Sequence, residues 1–232
     1  GGTAWPDGRY VHVAYMDYDP TSRTTAYYYR RGLLRGDGTI LWGPKTFVAP
    51  VGHNCFPPQI CVDDRGYVWL LYATLVENVG QFATLARSSV KGEWAPGGPF
   101  FMFDFFFVDA LVTKPICPYP GGRVAVGIQP TYGDFELRIV GPQGVKTYVF
   151  PRSLTDTYAV ASVGERVFLA FMWGDNPGTV EVWELLPGGN WECRYLLQAP
   201  ELSHFMPVSL TVTPDGGLAL FYMRDKAPYG WG

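Results

Sequence analysis

The hydrophobic positions along the chain form short runs of strand length, and each run follows a tight polar turn that contains glycine. Five segments share this pattern: PDGRYVHVAYMD, DDRGYVWLLYAT, PGGRVAVGIQ, VGERVFLAFMW and PDGGLALFYMR. Their apolar runs begin near residues 10, 67, 123, 166 and 218, which gives a period of about 52 residues. No helical spacing of apolar residues competes with this pattern. The sequence therefore predicts repeated β structure.

Each repeat has room for four strands, which we label A to D. Strand A precedes the glycine turn and strand B is the apolar run after it. Strand C reads TTAYYYRR, FATLARSS, FELRIV and TVEVWELL in the first four repeats, sequences rich in the β-branched and aromatic residues typical of strands. A turn then leads into Trp42, Trp94 or Trp191 in three repeats, and strand D ends at Pro50, Pro151 or Pro200.

Four complete repeats and a fifth A–B hairpin account for nearly the whole chain. Repeats of this length with four strands are typical of propeller blades. We therefore predict an all-β protein, a β-propeller in a single domain over 1–232, with blades at about 1–50, 51–103, 104–151, 152–200 and a partial blade at 201–232. The nearly continuous apolar B strands fit this fold, because both faces of a blade are buried. A β-sandwich is the alternative, but its turns recur without a superposed long period.

The fifth repeat lacks strands C and D, and this leaves two interpretations open. Either five blades close with an abbreviated last one, or the chain is a piece of a larger propeller. An open propeller exposes strand edges, which proteins normally avoid.

Composition and charge exclude several classes of partner. The chain has 28 glycines, 20 prolines and 47% hydrophobic residues, so it is rich in turns and can form a packed core. Its net charge is −3 without any basic stripe, and we therefore expect no nucleic-acid partner. The most hydrophobic segment, PFFMFDFFFVDALV, contains Asp104 and Asp109 and is too short to span a bilayer. We expect no membrane insertion.

The cysteines and histidines indicate no cofactor or metal. Cys61 and Cys117 occupy equivalent positions in PQICVDDRG and KPICPYPGG, which predicts buried strand residues. His53, Cys55 and Cys61 fall short of the four ligands at motif spacing that a structural zinc site needs.

The order of these features resembles that of the sialidase-like propellers. Many blades of that family carry an Asp-box, S-x-D-x-G-x-T-W, between strands C and D. The segment RGDGTILW keeps the spacing with Asp37 and Trp42, but has Thr39 and Leu41 at the glycine and threonine positions. The resemblance implies a propeller fold, and it implies no catalysis, because the boxes of that family are structural.

Sialidase activity itself is not predicted. The family requires an arginine triad, a tyrosine nucleophile with a glutamate, and an acidic aspartate, and its first arginine usually lies in an R-I-P motif that this sequence lacks. Arg30, Arg31, Arg87 and Arg138 lie within or at the end of C strands, and we interpret them as charged strand ends rather than an anion site.

Strand direction restricts where a site would lie. The B–C and D–A loops share one side of the blades, the loop face, and the tight A–B and C–D turns share the other, the turn face. We expect binding residues on the loop face, since loops on a rigid scaffold concentrate them. The candidate catalytic carboxylates there are Asp17, Glu77, Asp134 and Asp175. The candidate ligand-binding residues are Asp19, His53, Asn54, Tyr132, Trp173, Asn176, His204 and Arg224.

Two functions fit these observations. The first is a non-catalytic propeller that binds a glycan or protein partner, as an extracellular, adhesion or virion-surface component such as a tail-fibre protein. The second is a glycoside hydrolase or lyase that uses two loop-face carboxylates, which must lie about 5 to 10 Å apart. The same residue types are common in turns, and the missing sialidase motifs favour the binding function.

Overall fold

The computed structural model describes residues 2–19, 23–51, 57–76, 80–95, 101–103, 115–129, 133–154, 158–173, 176–198 and 208–222. Within these ranges the protein consists of antiparallel strands joined by turns and loops, without helices. The chain divides into two compact units, Gly1–Phe107 with Pro120–Val124, and Val108–Tyr119 with Ala125–Gly232. We describe each unit separately, and the single domain over 1–232 stays a prediction.

The first unit contains two complete sheets. Sheet 1 comprises β1 (Gly2–Asp7), β2 (Tyr10–Asp19), β3 (Thr24–Leu34), β4 (Ile40–Trp42) and β5 (Thr46–Pro50). Its order is β1-β2-β3-β4, and β5 also pairs with β3. Sheet 2 comprises β6 (Gln59–Val62), β7 (Tyr67–Val76), β8 (Gly80–Lys91) and β9 (Phe101–Phe103), in that order. Both sheets therefore follow the predicted A-B-C-D sequence of neighbouring strands.

The remaining strands form three sheets. Sheet 3 comprises β10 (Ile116–Tyr119), β11 (Arg123–Ile128), β12 (Glu136–Gly141) and β13 (Gly144–Val149). Sheet 4 comprises β14 (Tyr158–Val163), β15 (Arg166–Trp173), β16 (Asn176–Leu185) and β17 (Trp191–Gln198). Sheet 5 has two described strands, β18 (Val208–Val212) and β19 (Leu218–Tyr222). Four complete sheets and a terminal hairpin confirm the predicted all-β propeller architecture.

The predicted turns set where the B strands begin. The five B strands, β2, β7, β11, β15 and β19, start at residues 10, 67, 123, 166 and 218, as the repeat predicts. Glycines with positive φ lie in the turn before each strand; Gly66 and Gly216, for example, have φ of 84° and 82°. Glycine adopts this conformation without the steric cost that a side chain would add.

Strand D varies more than the sequence pattern suggested. In the first repeat it is split into β4 and β5, and the turn after β3 leads into β4, which ends at Trp42. In the third repeat a two-residue turn joins Gly141 to Gly144 and strand β13 follows at once. These differences arise because strand D packs on one neighbour alone and tolerates changes in length.

Each unit has its own apolar core. In the first unit, Tyr27, Tyr72 and Trp94 belong to a cluster built from sheets 1 and 2. In the second unit, Phe150 is fully buried and lies 5.2 Å, between ring centroids, from both Trp183 and Trp191 in edge-on contacts, a geometry that aromatic pairs prefer. The predicted burial of Cys61 and Cys117 is also confirmed.

One prediction about the core is wrong. The B strand LALFY of sheet 5 was expected to be buried on both faces like the others, but Phe221 and Tyr222 are 60% and 48% exposed. Strands β7 and β15 lie inside four-stranded sheets, with a paired strand at each edge. Strand β19 has one neighbour, β18, in the described part of the chain.

Candidate functional site

The structure describes few of the side chains that the sequence singled out. Asp17 and Asp134 are the candidates whose side chains are described. Asp19, Trp173 and Asn176 lie in strands, but their side chains are outside the described set. The remaining candidates lie outside the described residues: Glu77, Asp175, His53, Asn54, Tyr132, His204 and Arg224.

Asp17 lies beside a row of three aromatic side chains on sheet 1. Tyr15 of β2 is directly opposite Tyr28 of β3, and Tyr28 is opposite Phe47 of β5. The ring centroids of Tyr15 and Tyr28 are 6.1 Å apart, and those of Tyr28 and Phe47 are also 6.1 Å apart. Side chains directly opposite on neighbouring strands share one face of the sheet. We call Tyr15, Tyr28 and Phe47 the aromatic row.

An ion pair adjoins the aromatic row. Lys45 Nζ lies 2.6 Å from Asp17 Oδ2 and 3.6 Å from the centroid of the Tyr28 ring. The backbone N–H of Tyr18 donates to Asp17 Oδ1 at 2.9 Å, so both carboxylate oxygens have partners. Phe47 is 53% exposed. The row therefore offers an accessible ring face next to one acceptor and one donor of hydrogen bonds.

The ion pair fixes the charge state of Asp17. The hydrogen bond from Lys45 lowers the pKa of the Asp17 carboxyl, and the same bond raises the pKa of Lys45. Both groups are exposed, so this pairing has little effect on stability. With its pKa lowered, Asp17 is ionised at neutral pH. A general acid must carry a proton at that pH, so Asp17 does not suit that role.

Asp134 lies in the second unit, two residues before the first residue of strand β12, Glu136. Its side chain is exposed, whereas the next residue, Phe135, is fully buried. The aspartate thus lies at the end of a B–C loop, as predicted. Because it belongs to the other unit, we consider it separately from Asp17.

The C-strand arginines have structural roles, as the sequence analysis proposed. Arg30 donates through Nε and Nη2 to the carbonyl of Gly43, and Arg138 donates to Glu136 within its own strand. Arg31 donates to the carbonyl of Gly92 at 2.5 Å. These guanidinium groups are held by protein acceptors on three different strands or turns.

The Asp-box-like segment forms a local turn. Asp37 Oδ1 accepts hydrogen bonds from the Thr39 backbone N–H at 2.9 Å and from the Thr39 hydroxyl at 2.7 Å. The bond from the Thr39 hydroxyl lowers the pKa of Asp37. The residue that replaces the glycine of the box thus binds its aspartate, and the segment has a structural role.

The turn face carries a groove that sequence reasoning missed. The groove has a volume of about 410 Å³ and lies within the second unit, between sheet 4 and the hairpin of sheet 5. Its walls include Arg166, Phe168, Tyr195, Leu197 and Leu220. The sequence pattern directed the candidate residues to the loop face and did not indicate this groove.

A buried carboxylate holds the two arginines of this groove. Glu184 is buried, and its oxygens accept from Arg166 Nε at 2.6 Å and from Arg194 Nε at 2.5 Å. Hydrogen bonding to Arg166 lowers the pKa of Glu184. A β-bulge after Val182 makes Arg194 the extra residue of β17, and bulges re-aim side chains in this way.

The described residues have neither a metal-binding cluster nor a membrane-spanning helix. They contain no group of three or more histidine, cysteine, aspartate or glutamate side chains that could hold a metal ion. In the same part of the chain, no helix is long and apolar enough to cross a bilayer.

Comparisons with known proteins identify the fold. No family model and no curated protein matches the chain. Similar solved structures include the soluble aldose sugar dehydrogenase from Escherichia coli in its apo form, with a TM-score of 0.56, 11% identity, and coverage of 93% of this chain and 76% of that one. RS223-β-xylosidase has a TM-score of 0.52 and 11% identity over 95% and 84% of the two chains. Xylan β-1,4-xylosidase from Bacillus halodurans C-125 has a TM-score of 0.50 and 12% identity, and the match covers 99% of this chain and 49% of that one.

These similarities support the β-propeller fold and do not single out the sialidase-like family. The chain spans about half the length of the Bacillus enzyme, at 49%. At identities of 11 to 12% a shared fold does not by itself transfer an activity.

Proposed function

We propose that this propeller binds a glycan on the aromatic row of sheet 1 without cleaving it. The observation that carries the proposal is the exposed ring of Phe47 beside the Asp17–Lys45 ion pair. Binding sites for small ligands combine apolar and aromatic surface with a few polar groups that fix orientation. A sugar ring would place its C–H face on Phe47 and its hydroxyls against the carboxylate and the ammonium.

The charge state of Asp17 does not suit the role of general acid in a glycosidase, although an ionised carboxylate can serve as the base or nucleophile. A glycosidase needs one carboxylic acid whose pKa is raised, so that it can protonate the leaving oxygen. The hydrogen bond from Lys45 lowers the pKa of Asp17 instead. Names of sugar-related enzymes among the similar structures agree with a carbohydrate ligand, but the proposal depends on the aromatic row. Membership of the sialidase-like group and an extracellular or virion-surface location stay predictions.

Glycan retention with product analysis tests the proposal. The protein is incubated with a library of neutral and acidic glycans, and both retained molecules and new products are measured by mass spectrometry. We expect retention with unchanged masses. Because stacking on Phe47 supplies much of the affinity, Phe47→Ala should weaken binding about tenfold or more, and Asp17→Asn should also weaken it.

Phe221→Ala is the matched control, since Phe221 is a similarly exposed phenylalanine on another sheet. It should leave glycan retention unchanged. New sugar products that disappear in carboxylate variants would overturn the non-catalytic assignment. Absence of retention across the library, or equal losses in both phenylalanine variants, would overturn the site.

A further inference from the structure

We propose that the glycan on the aromatic row is an acidic oligosaccharide, with a carboxylate paired to Arg30 and a further sugar ring stacked on Trp42. This ligand class rests on the proposed function and narrows it. Arg30 and Trp42 lie outside the aromatic row, so their contribution can be tested separately from that of Phe47.

Arg30 lies on the same face of sheet 1 as the aromatic row. It follows Tyr28 by two residues in β3, and it is directly opposite Val13, which precedes Tyr15 by two residues in β2. Residues two apart in a strand point to the same face. Burial raises the pKa of Tyr15, and Lys45 and Arg30 oppose that shift. Arg30 therefore borders the row on the side away from the ion pair.

Two contacts fix the guanidinium of Arg30. Its Nε and Nη2 donate to the carbonyl of Gly43 at 3.0 and 2.9 Å, and its Cζ lies 5.7 Å from the centroid of the Trp42 ring. A guanidinium has more N–H groups than these two hydrogen bonds use. The edge formed by Nη1 and Nη2 can therefore donate to both oxygens of a carboxylate, a geometry that arginine favours.

The charges at this surface favour an anionic ligand. Asp17 pairs with Lys45, and among the described residues no ion pair includes Arg30. The surface thus has one more positive than negative charge, and Arg30 is half-buried. A neutral glycan would cover this charge without pairing it, which is costly. A carboxylate on the glycan would complement it.

Trp42 provides a second ring surface on the same face. It is opposite Gly32, two residues after Arg30 in β3, and it is 39% exposed. Gly32 leaves room for the indole, since a Cβ there would lie 2.9 Å from Trp42 Cε3. Gly32 is about 13 Å along the strand from Tyr28. One sugar ring does not span this distance, so a ligand that contacts both ring surfaces must be an oligosaccharide.

Paired oligosaccharides test the acidic ligand. Oligogalacturonates, oligomannuronates and hyaluronan oligosaccharides are each compared with their carboxyl-reduced forms, in which a neutral hydroxymethyl group replaces the carboxylate. Binding to the intact protein is measured by isothermal titration calorimetry. We expect an acidic hexasaccharide to bind about tenfold or more tightly than its reduced form, and this difference should shrink as salt is added.

Arg30→Gln tests which residue recognises the carboxylate. It should weaken binding of the acidic hexasaccharide about tenfold and leave binding of the reduced form unchanged. A disturbed sheet would weaken both ligands, so the two measurements separate charge from structure. Arg30→Lys should keep part of the preference. Arg138→Gln is the matched control, because Arg138 is a C-strand arginine paired with Glu136 on another sheet, and it should change neither affinity.

Trp42→Ala tests the second ring surface through chain length. In the unaltered protein the acidic hexasaccharide should bind more tightly than the disaccharide of the same sugar. Trp42→Ala should remove this gain while leaving the affinity for the disaccharide unchanged. Equal losses at both lengths would contradict a sugar ring on Trp42.

The outcomes separate the acidic ligand from glycan binding itself. Reduced forms that bind as tightly as the acidic ones, retention of neutral glycans alone, or equal losses of both ligands in Arg30→Gln would overturn the acidic ligand. If Phe47→Ala still weakened binding in those cases, the aromatic row would remain the glycan site. No binding to any glycan would overturn both proposals.

Discussion

Replacing Asp63 by alanine is expected to lower the free energy of unfolding by about 3 kcal/mol. Asp63 is buried in the A–B turn of sheet 2, where Oδ1 accepts from the backbone N–H groups of Arg65 and Tyr67 at 2.9 and 3.0 Å. Its Oδ2 accepts from the indole N–H of Trp69 at 2.8 Å. Alanine leaves three N–H donors without the carboxylate that accepts from them. A buried donor that loses its hydrogen bond destabilises the folded state. Urea unfolding followed by tryptophan fluorescence measures the loss.

The next residue provides a matched control. Asp64 is exposed, and its carboxylate accepts from the backbone N–H groups of Gly121 and Gly122 at 2.7 and 2.6 Å. Asp64→Ala should cost about 1 kcal/mol, because water can replace much of this exposed contact. Asp63→Asn should fall between the two, since an amide keeps one acceptor but turns its NH₂ toward Trp69. Equal losses for the two alanine variants would contradict the role given to Asp63.

The repeat and the strand order could be predicted from the sequence because local signals set them. A glycine turn followed by an apolar run specifies where a B strand begins, and β2, β7 and β15 begin at the predicted residues. These signals need no knowledge of which strands are neighbours. Strand D of sheet 1 ends at Pro50 as predicted, but its division into β4 and β5 was not predicted, because it depends on pairing with β3.

The aromatic row could not be predicted because it depends on register. Tyr15, Tyr28 and Phe47 lie on three strands, and a β-bulge between Tyr27 and Tyr28 sets which residue of β5 is opposite Tyr28. A shift of one residue would move Phe47 to the other face of the sheet. Asp17 was predicted to lie in a B–C loop, but it lies in strand β2 opposite Ala26 of β3. Its partner Lys45 is 28 residues away.

The groove escaped prediction for a different reason. The apolar run LALFY looks like the buried runs of β7 and β15. The fifth repeat was predicted to be an A–B hairpin, but the run alone does not show which of its side chains are exposed. The arginines of the groove are distant in sequence, and their contact with Glu184 requires the pairing of β15, β16 and β17. Long-range pairing therefore creates both the aromatic row and the groove.

Stability is expected to fall as pH decreases from about 7 to 5, and His12 should cause much of this fall. The His12 side chain is fully buried in β2, with Nδ1 2.7 Å from the Tyr29 hydroxyl and Nε2 3.6 Å from Asp7 Oδ2. In the neutral tautomer that carries its proton on Nε2, the Tyr29 hydroxyl donates its proton to Nδ1. Neutral His12 accepts that proton, whereas protonated His12 would present a second donor to Tyr29.

The pKa of His12 is lowered chiefly by burial, and Arg31 lowers it further, while Asp7 opposes the shift. The unfolded chain therefore binds a proton at a pH where the folded chain does not. This stability is present above the unfolded pKa of about 6.5 and is lost as pH falls toward the folded pKa, by up to about 1.4 kcal/mol per pH unit for one proton.

Urea midpoints measured between pH 8 and 5 test the role of His12. His12→Gln stays neutral over this range, so its midpoint should vary less with pH than that of the unaltered protein, and the two curves should converge at acid pH. Asp7→Asn should steepen the dependence, because it removes the carboxylate that favours protonation. Measurements stop at pH 5, since carboxylates such as Glu184, whose pKa is also lowered, contribute at more acid pH. An identical pH dependence in His12→Gln would show that other groups destabilise the protein in acid.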